Sequence, residues 1–166
     1  MPTEEYERIK IAASTNQSNN ADTSIMNSFF RGAVLTHREW EQINIKRNTL
    51  RSQWRNLFKE FDVVICPIMP TPAFAHDHSD RDKRLIKIDE TFYPYTVQFA
   101  WPSIATLFGL PATVAPINYT QTGLPIGVQI IGDYLEDLTT IEFAKLISNI
   151  DLAANIKQFQ AQRLGF

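Results

Sequence analysis

The strongest constraint on the fold is a tract from Gly109 to Gly132, in which two Gly-Leu-Pro tripeptides lie fourteen residues apart. Each proline disfavours the α region for the leucine before it, and each glycine permits backbone conformations that a side chain would block. The apolar runs 112–117 and 126–131 are short and rich in Val, Ile and Thr, which is typical of buried strands. The polar run 118–123 has the length of a hairpin loop. The tract therefore predicts two buried strands joined by a turn. Its punctuating residues are Gly109, Pro111, Gly123, Pro125 and Gly127.

A long helix is predicted over residues 37–60. Thr36 and Glu39 form the T-x-x-E pattern of a capping box, in which each side chain accepts a hydrogen bond from the other residue's backbone N–H. Apolar residues then recur at three-to-four spacing, which places them on one face of a helix. They are Trp40, Ile43, Leu50, Trp54, Leu57 and Phe61. A proline-terminated apolar run predicts a strand at 63–67, and apolar spacing after Asp137 predicts a helix over 138–149.

The first 32 residues are predicted to form a separate N-terminal segment, with a helix at 3–13 and a partly flexible polar connector at 14–24. Residues 33–166 form the main region, which we expect to end in a short helix over 150–166 with a mobile end. Within it, the run 85–95 predicts a short strand and turn, and Pro102 opens or kinks a helical run at 96–108. This order of elements predicts an α/β fold in which helices pack on a mixed β-sheet.

Composition narrows the classes of function. The chain has 166 residues, and its 16 basic and 18 acidic side chains are interspersed, so no basic surface for nucleic acid is predicted. No apolar run approaches the roughly 18 residues of a membrane span, and the N-terminal residues are charged where a signal peptide would be apolar. Cys66 is the single cysteine, so no intramolecular disulfide can form. We therefore expect a cytoplasmic protein without a membrane span or a nucleic-acid partner.

Three blocks of the sequence resemble the amidase signature family in their order and spacing. They are FDVVICPIMPTPAFAHD at 61–77, the Gly-Leu-Pro tract at 109–132, and LEDLTTIEFAKLIS at 135–148. The resemblance runs from Ala33 to Ser148 and implies the C-terminal portion of such an enzyme. In that family this portion supplies strands to the central sheet and side chains to the wall of the acyl pocket. The implied reaction is hydrolysis of carboxylic amide C–N bonds, which needs no cofactor.

The catalytic residues of that family are missing from this chain. Its members use a Ser, cis-Ser, Lys triad, and a Gly/Ser-rich segment provides backbone N–H groups that stabilise the oxyanion. None of the six glycines here lies in a Gly/Ser-rich run, and no serine is flanked by glycine. No catalytic residue is therefore assigned. We expect a C-terminal fragment that is inactive alone, with the triad on a separate N-terminal portion.

By position, the resemblance implies four residues of the substrate pocket, namely Ile68, Met69, Trp101 and Phe108. Packing in the core is the favoured explanation for each of them, and lining of the pocket is the alternative. Phe108 also departs from the family pattern, since many members have a polar residue before the first Gly-Leu-Pro. The implied partners are a small-molecule amide substrate in the full-length enzyme, and either a second copy of the chain or the N-terminal amidase portion. A truncated sheet exposes strand edges and apolar faces that such a partner would cover.

Two other interpretations compete with the amidase fragment. The first is a non-catalytic binding or assembly module with an amidase-like sheet. The second is a small hydrolase or metal protein that uses Cys66, His76 and His78. Against the second, Cys66 ends an apolar strand, where cysteine usually behaves as a small buried hydrophobe. The histidines lie in a charged loop without a second cluster of ligands, so no metal site is assigned.

Overall fold

The computed structural model describes residues 2–16, 25–80 and 83–149. The chain divides into two compact units, Met1–Arg47 and Asn48–Phe166. The sequence-based division after residue 32 stays a prediction. Most of the predicted polar connector and the predicted helix over 150–166 lie outside the described residues. Within the described ranges, no helix combines the length and the apolar character that a membrane span requires.

The first unit contains two short helices that contact each other, α1 (Thr3–Asn16) and α2 (Ile25–Ala33). Helix α1 continues past the predicted end at residue 13, and there the hydroxyls of Ser14 and Thr15 donate to carbonyls one turn earlier, over 2.8 and 2.9 Å. Ile9 and Ala13 are buried. Helix α2 was not predicted from the sequence.

Helix α3 (His37–Leu57) begins in the first unit and ends in the second. The capping box is present: the Thr36 N–H donates to Glu39 Oε2 over 2.8 Å, and the Glu39 N–H donates to Thr36 Oγ1 over 3.3 Å. The helix ends three residues before the predicted position. There the backbone tightens into turns, in which the N–H groups of Lys59 and Glu60 donate to carbonyls three residues back.

The second unit is built on a three-stranded sheet. Its strands are β1 (Val64–Pro67), β4 (Ala112–Tyr119) and β5 (Pro125–Ile131), in the order β1-β5-β4. Two further strands, β2 (Leu85–Ile88) and β3 (Thr91–Pro94), form a separate hairpin. The α/β class is confirmed. The sheet was predicted to be mixed, but every strand pair within the described residues is antiparallel, because β5 lies between β1 and β4 and runs opposite to both.

Helices cover both faces of the three-stranded sheet. A 3-10 helix (Tyr95–Phe99) leads into α4 (Ala100–Phe108), and α5 (Asp137–Asn149) follows the sheet. On one face, Ile131 packs in a cluster with residues of α4 and the end of α3; on the other, Ile130 packs with residues of α5. Successive strand residues point to opposite faces, and both isoleucines have no exposed surface. The central strand is therefore buried on both sides.

The two Gly-Leu-Pro tripeptides have distinct backbone roles. Gly109 ends α4 with φ +62°, in the left-handed region, and the Leu110 N–H donates to the Ala105 carbonyl over 3.0 Å. This is the bonding of a glycine-terminated helix end. Gly123 has φ +82°, and its N–H donates to the Thr120 carbonyl to close the turn between β4 and β5. A glycine is needed at both positions because other residues adopt positive φ only at a cost.

Candidate functional site

The candidate site is a wall on the α4 side of the sheet, centred on Gln129 in the middle of β5. The Gln129 side chain is buried, and its Nε2 donates to Cys66 Sγ over 3.4 Å and to the Trp101 carbonyl over 3.3 Å. Gln129 and Cys66 are direct partners in the β1–β5 register. One amide group therefore ties the end of β1 and the start of α4 to the central strand.

Ile68 lies on the same wall, next to Gly127. A methyl group at Gly127 would lie 3.1 Å from Ile68 Cδ1 and 3.0 Å from the Ala115 carbonyl oxygen. Ile68 therefore packs against a strand position that has no side chain. Gly127 and Gln129 are two residues apart on one strand, so they share a face at a spacing of about 7 Å. The wall consequently runs from Gln129 to Ile68.

The structure brings together some of the residues selected from the sequence. Trp101 and Ile68 both contact this wall, through the Trp101 carbonyl and the Ile68 side chain. Trp101 keeps 37% of its residue surface exposed, and Met69, next to Ile68, keeps 41%. Such partly exposed apolar side chains can bind an apolar group of a ligand. Whether they contact a substrate stays a prediction.

Phe108 lies in different surroundings, within the core on the α4 side of the sheet. Its ring packs against Trp54 at a centroid distance of 5.9 Å, and its carbonyl accepts a hydrogen bond from Arg51 Nε over 2.6 Å. The Arg51 guanidinium also lies over the Tyr134 ring, 4.5 Å from its centroid. Arg51 thus neutralises the carbonyl end of α4. These contacts give Phe108 a structural role, and its assignment to a pocket stays a prediction.

The nucleophile or metal interpretation of Cys66 finds no support in these contacts. The thiol is half-buried, and its hydrogen bond comes from Gln129. His76 and His78 line an open cleft, with ring centroids 6.1 Å apart. Among the described residues, no three His, Cys, Asp or Glu side chains are placed to hold a metal ion. Hydrogen bonds from Ser79, chiefly from its backbone N–H, hold the pKa of Asp77 below its ordinary value, so this carboxylate is engaged locally.

The wall has the chemistry of a positioning surface. Its described side chains offer hydrocarbon, a thiol and an amide whose N–H is already bonded. Gln129 and Arg51 were not among the residues selected from the sequence. One signal was available for Gln129, since a polar residue in the apolar run IGVQII must find a partner if the strand is buried.

Relatives of the chain are found among the subunits of glutamyl-tRNA(Gln) amidotransferases. One such subunit, from Marinobacter nauticus, is 33% identical over 98 residues, which cover 59% of this chain and 18% of that protein. Its counterpart from Rickettsia bellii is 27% identical over 120 residues, covering 72% and 22%. The chain thus spans about a fifth of the length of these curated relatives.

Solved structures share the fold. A crystal structure of an amidase superposes with a TM-score of 0.54 at 19% identity, covering 84% of this chain and 31% of the amidase. A glutamyl-tRNA(Gln) amidotransferase subunit from Thermotoga maritima gives a TM-score of 0.51 at 22% identity, covering 90% and 28%. An inhibitor-bound vestigial complex, related to the origins of an s-triazine catabolic enzyme, gives 0.59 at 19% identity, covering 84% and 30%.

The family assignment agrees with both sets of relatives. The sequence model of the amidase family matches residues 7–141, which include β1, the Gly-Leu-Pro tract, the wall around Gln129 and the start of α5. The chain therefore belongs to the amidase family.

Proposed function

We propose that this chain supplies the C-terminal part of an amidase-type hydrolase acting on carboxylic amide C–N bonds, and that it is inactive alone. The proposal is carried by one observation. The family match spans residues 7–141, yet no Gly/Ser-rich segment of the kind that bears the family's triad is present in the sequence. The chain would then provide sheet scaffold and one wall of the substrate pocket, while the triad and oxyanion-binding N–H groups would come from an N-terminal amidase portion.

The wall around Gln129 supports the proposal that this chain provides one wall of the substrate pocket. Its apolar side chains would contact the acyl part of an amide substrate, with Ile68 packed next to Gly127 and Trp101 held through its carbonyl. Contacts of this kind position a substrate but transfer no proton. We therefore assign these residues to binding, and Met69 to the exposed margin of the same wall.

Exposed apolar residues on the sheet support the need for a partner. Strands β1 and β4 each have one edge without a strand partner among the described residues. Ile65 on β1 is 49% exposed and Val114 on β4 is 58% exposed, and the register places them on opposite faces. Free edges and apolar faces of this kind associate with other chains. The partner would be the N-terminal amidase portion or, without it, a second copy of this chain.

The first test is an activity assay on the purified chain. With a simple aryl amide we expect no release of amine above the buffer rate, and sedimentation should show self-association that increases with concentration. Turnover abolished by Cys66→Ala would replace this proposal with the thiol hydrolase. A monomer that unfolds cooperatively and turns over no amide would contradict the fragment proposal.

The second test is reconstitution with the product of an upstream reading frame that encodes a Gly/Ser-rich segment and a suitably placed lysine. We expect amide turnover to require both polypeptides. Ile68→Ala should then raise KM several-fold with a smaller effect on kcat, because it removes ground-state contact. A matched control is Ile141→Ala, at a position on α5 that is 51% exposed. Association without turnover would favour the non-catalytic assembly module.

A second form of the reaction is transfer of an amide nitrogen. It is favoured by the identity of 33% to a protein described as part of a glutamyl-tRNA(Gln) amidotransferase. The reconstituted pair would be assayed with glutamine, with and without an acceptor. If simple amides are hydrolysed at the same rate with and without an acceptor, the result would support the hydrolase.

A further inference from the structure

The second unit also has a cleft lined by residues 73–78, Arg84 and Tyr95. Unlike the apolar wall around Gln129, it contains charged and aromatic side chains. The cleft is open to solvent and has a volume of about 480 Å³, which suits a small organic ligand. One side is the loop after β1, and the other is the base of the β2–β3 hairpin, where the Tyr95 N–H donates to the Arg84 carbonyl over 2.9 Å. The two sides meet through Phe74, whose ring contacts Tyr95 edge-on at 6.2 Å.

Arg84 is held in place by two contacts. Its Nε donates to the Ser79 carbonyl over 2.7 Å, and its guanidinium lies over the Tyr95 ring, 5.7 Å from the centroid. Among the described residues, the ion pairs within 4 Å do not include Arg84. Its terminal nitrogens therefore remain available for a planar anion, while the ring stacking and the Nε bond reduce the entropy lost on binding.

The remaining polar groups of the cleft are His76, His78 and Asp77. The imidazoles lie 6.1 Å apart and can donate to an anion. The Asp77 carboxylate would repel a bound anion. It already accepts a hydrogen bond from the Ser79 N–H over 2.8 Å. The Ser79 hydrogen bonds are the main cause of the lowered pKa of Asp77, and the charges of Arg84 and His78 lower it to a smaller extent. The cleft thus combines one oriented guanidinium, aromatic walls and one competing carboxylate.

We propose that this cleft binds a small carboxylate carried on a flat apolar group. The planar fork of an arginine matches a carboxylate in two parallel hydrogen bonds, and the rings of Phe74 and Tyr95 provide flat apolar surface beside it. The proposal invokes neither the wall around Gln129 nor a partner chain, so it can be tested separately from the proposed function.

The test is a titration of the purified full chain with 4-fluorobenzoate, followed by fluorine NMR. Arg84→Gln should weaken binding about tenfold, since a charge-assisted pair is replaced by a neutral one. The matched control is Lys87→Gln, which removes a cation on the same hairpin that already pairs with Glu90 over 2.9 Å; its affinity should equal that of the wild type. Undiminished binding by Arg84→Gln would overturn the proposal.

A second variant keeps the test valid if Arg84→Gln perturbs the loop. Asp77→Asn retains an oxygen that can accept the Ser79 N–H but removes the competing charge, so binding should tighten. Unchanged or weaker binding by Asp77→Asn would refute the assigned electrostatics. Two competitors separate the parts of the ligand: 4-fluorobenzamide should bind much more weakly, and inorganic phosphate should displace the probe poorly. If 4-fluorobenzamide binds as tightly as 4-fluorobenzoate, the cleft does not recognise the carboxylate. If inorganic phosphate displaces the probe as well as a benzoate does, the cleft does not recognise the flat apolar group.

Discussion

Gly109→Ala should destabilise the second unit through two separable effects. Gly109 has φ +62°, and an L-residue in this conformation destabilises the folded state by about 1–2 kcal/mol. Alanine also restricts the unfolded chain, which offsets about 0.4–1 kcal/mol of that destabilisation. The new Cβ would also lie 2.5 Å from Arg51 Nη2, so the Arg51 side chain must move. We expect that movement to cost the 2.6 Å hydrogen bond from Arg51 Nε to the Phe108 carbonyl, because Nε and Nη2 belong to one planar guanidinium.

The size of the second effect depends on the burial of Arg51. A hydrogen bond to a charged group contributes about 1.5–3 kcal/mol when fully buried, but Arg51 is only half-buried and regains water, so we take about 1 kcal/mol. The two effects together give a loss of about 2 kcal/mol in the free energy of unfolding. In an Arg51→Met background the same substitution should cost about 1 kcal/mol, because only the backbone effect remains.

Urea denaturation followed by tryptophan fluorescence measures this loss. Trp54 is a suitable probe, since its ring lies 5.9 Å from that of Phe108. Two results would refute this prediction. One is a free energy of unfolding for Gly109→Ala within about 0.5 kcal/mol of the wild type, and the other is an equal cost of Gly109→Ala in the Arg51→Met background.

Three further predictions concern hydrogen bonds. Thr36→Ala should destabilise α3 by about 1 kcal/mol at pH 7. Thr36 holds the pKa of Glu39 below its ordinary value, chiefly through its side chain, so the part that depends on the carboxylate is present above the ordinary pKa and is lost as pH falls through the lowered one. In unfolding followed by circular dichroism, the cost of Thr36→Ala should therefore shrink at acid pH but not vanish, because the Glu39 N–H still donates to Thr36 Oγ1. Gln129→Glu places a carboxylate against the Cys66 thiol and the Trp101 carbonyl oxygen, and should lower the free energy of unfolding by about 2–3 kcal/mol at pH 8. The loss should be smaller at pH 5, because burial favours the neutral acid. Equal losses in urea titrations at both pH values would contradict this. Thr140→Val should cost about 1–3 kcal/mol in thermal unfolding, because the Thr113 hydroxyl loses its 2.8 Å partner, and adding Thr113→Val should recover part of the loss.

The elements predicted best were those specified by neighbouring residues. The capping box at Thr36 needs only residues three apart, and the glycine end of α4 needs only the positive φ that Gly109 allows. Pro102 lies in the first turn of α4, where its missing N–H removes no helix hydrogen bond. Helix α2 was missed because the polar run before it suggested a connector.

Contacts between distant residues could not be predicted in the same way. The contact of Gln129 with Cys66 spans 63 residues and that of Arg51 with Phe108 spans 57. Each depends on which strand or helix lies beside which. The position of β5 between β1 and β4 is such a choice, because an apolar run suits a central or an outer strand equally well.

By itself, the sequence determined the family resemblance, the α/β class, the start of α3, the glycine end of α4, the turn between β4 and β5, and the absence of the triad segment from the chain. These follow from local backbone sterics and from residues present or missing in a linear string. The tertiary structure alone decided the pairing of β1 with β5, the burial of Gln129 against Cys66 and Trp101, and the cleft around Arg84. The physical reason is that a buried polar group or an oriented cation takes its partner from whichever element packs against it, and packing is a property of the whole fold.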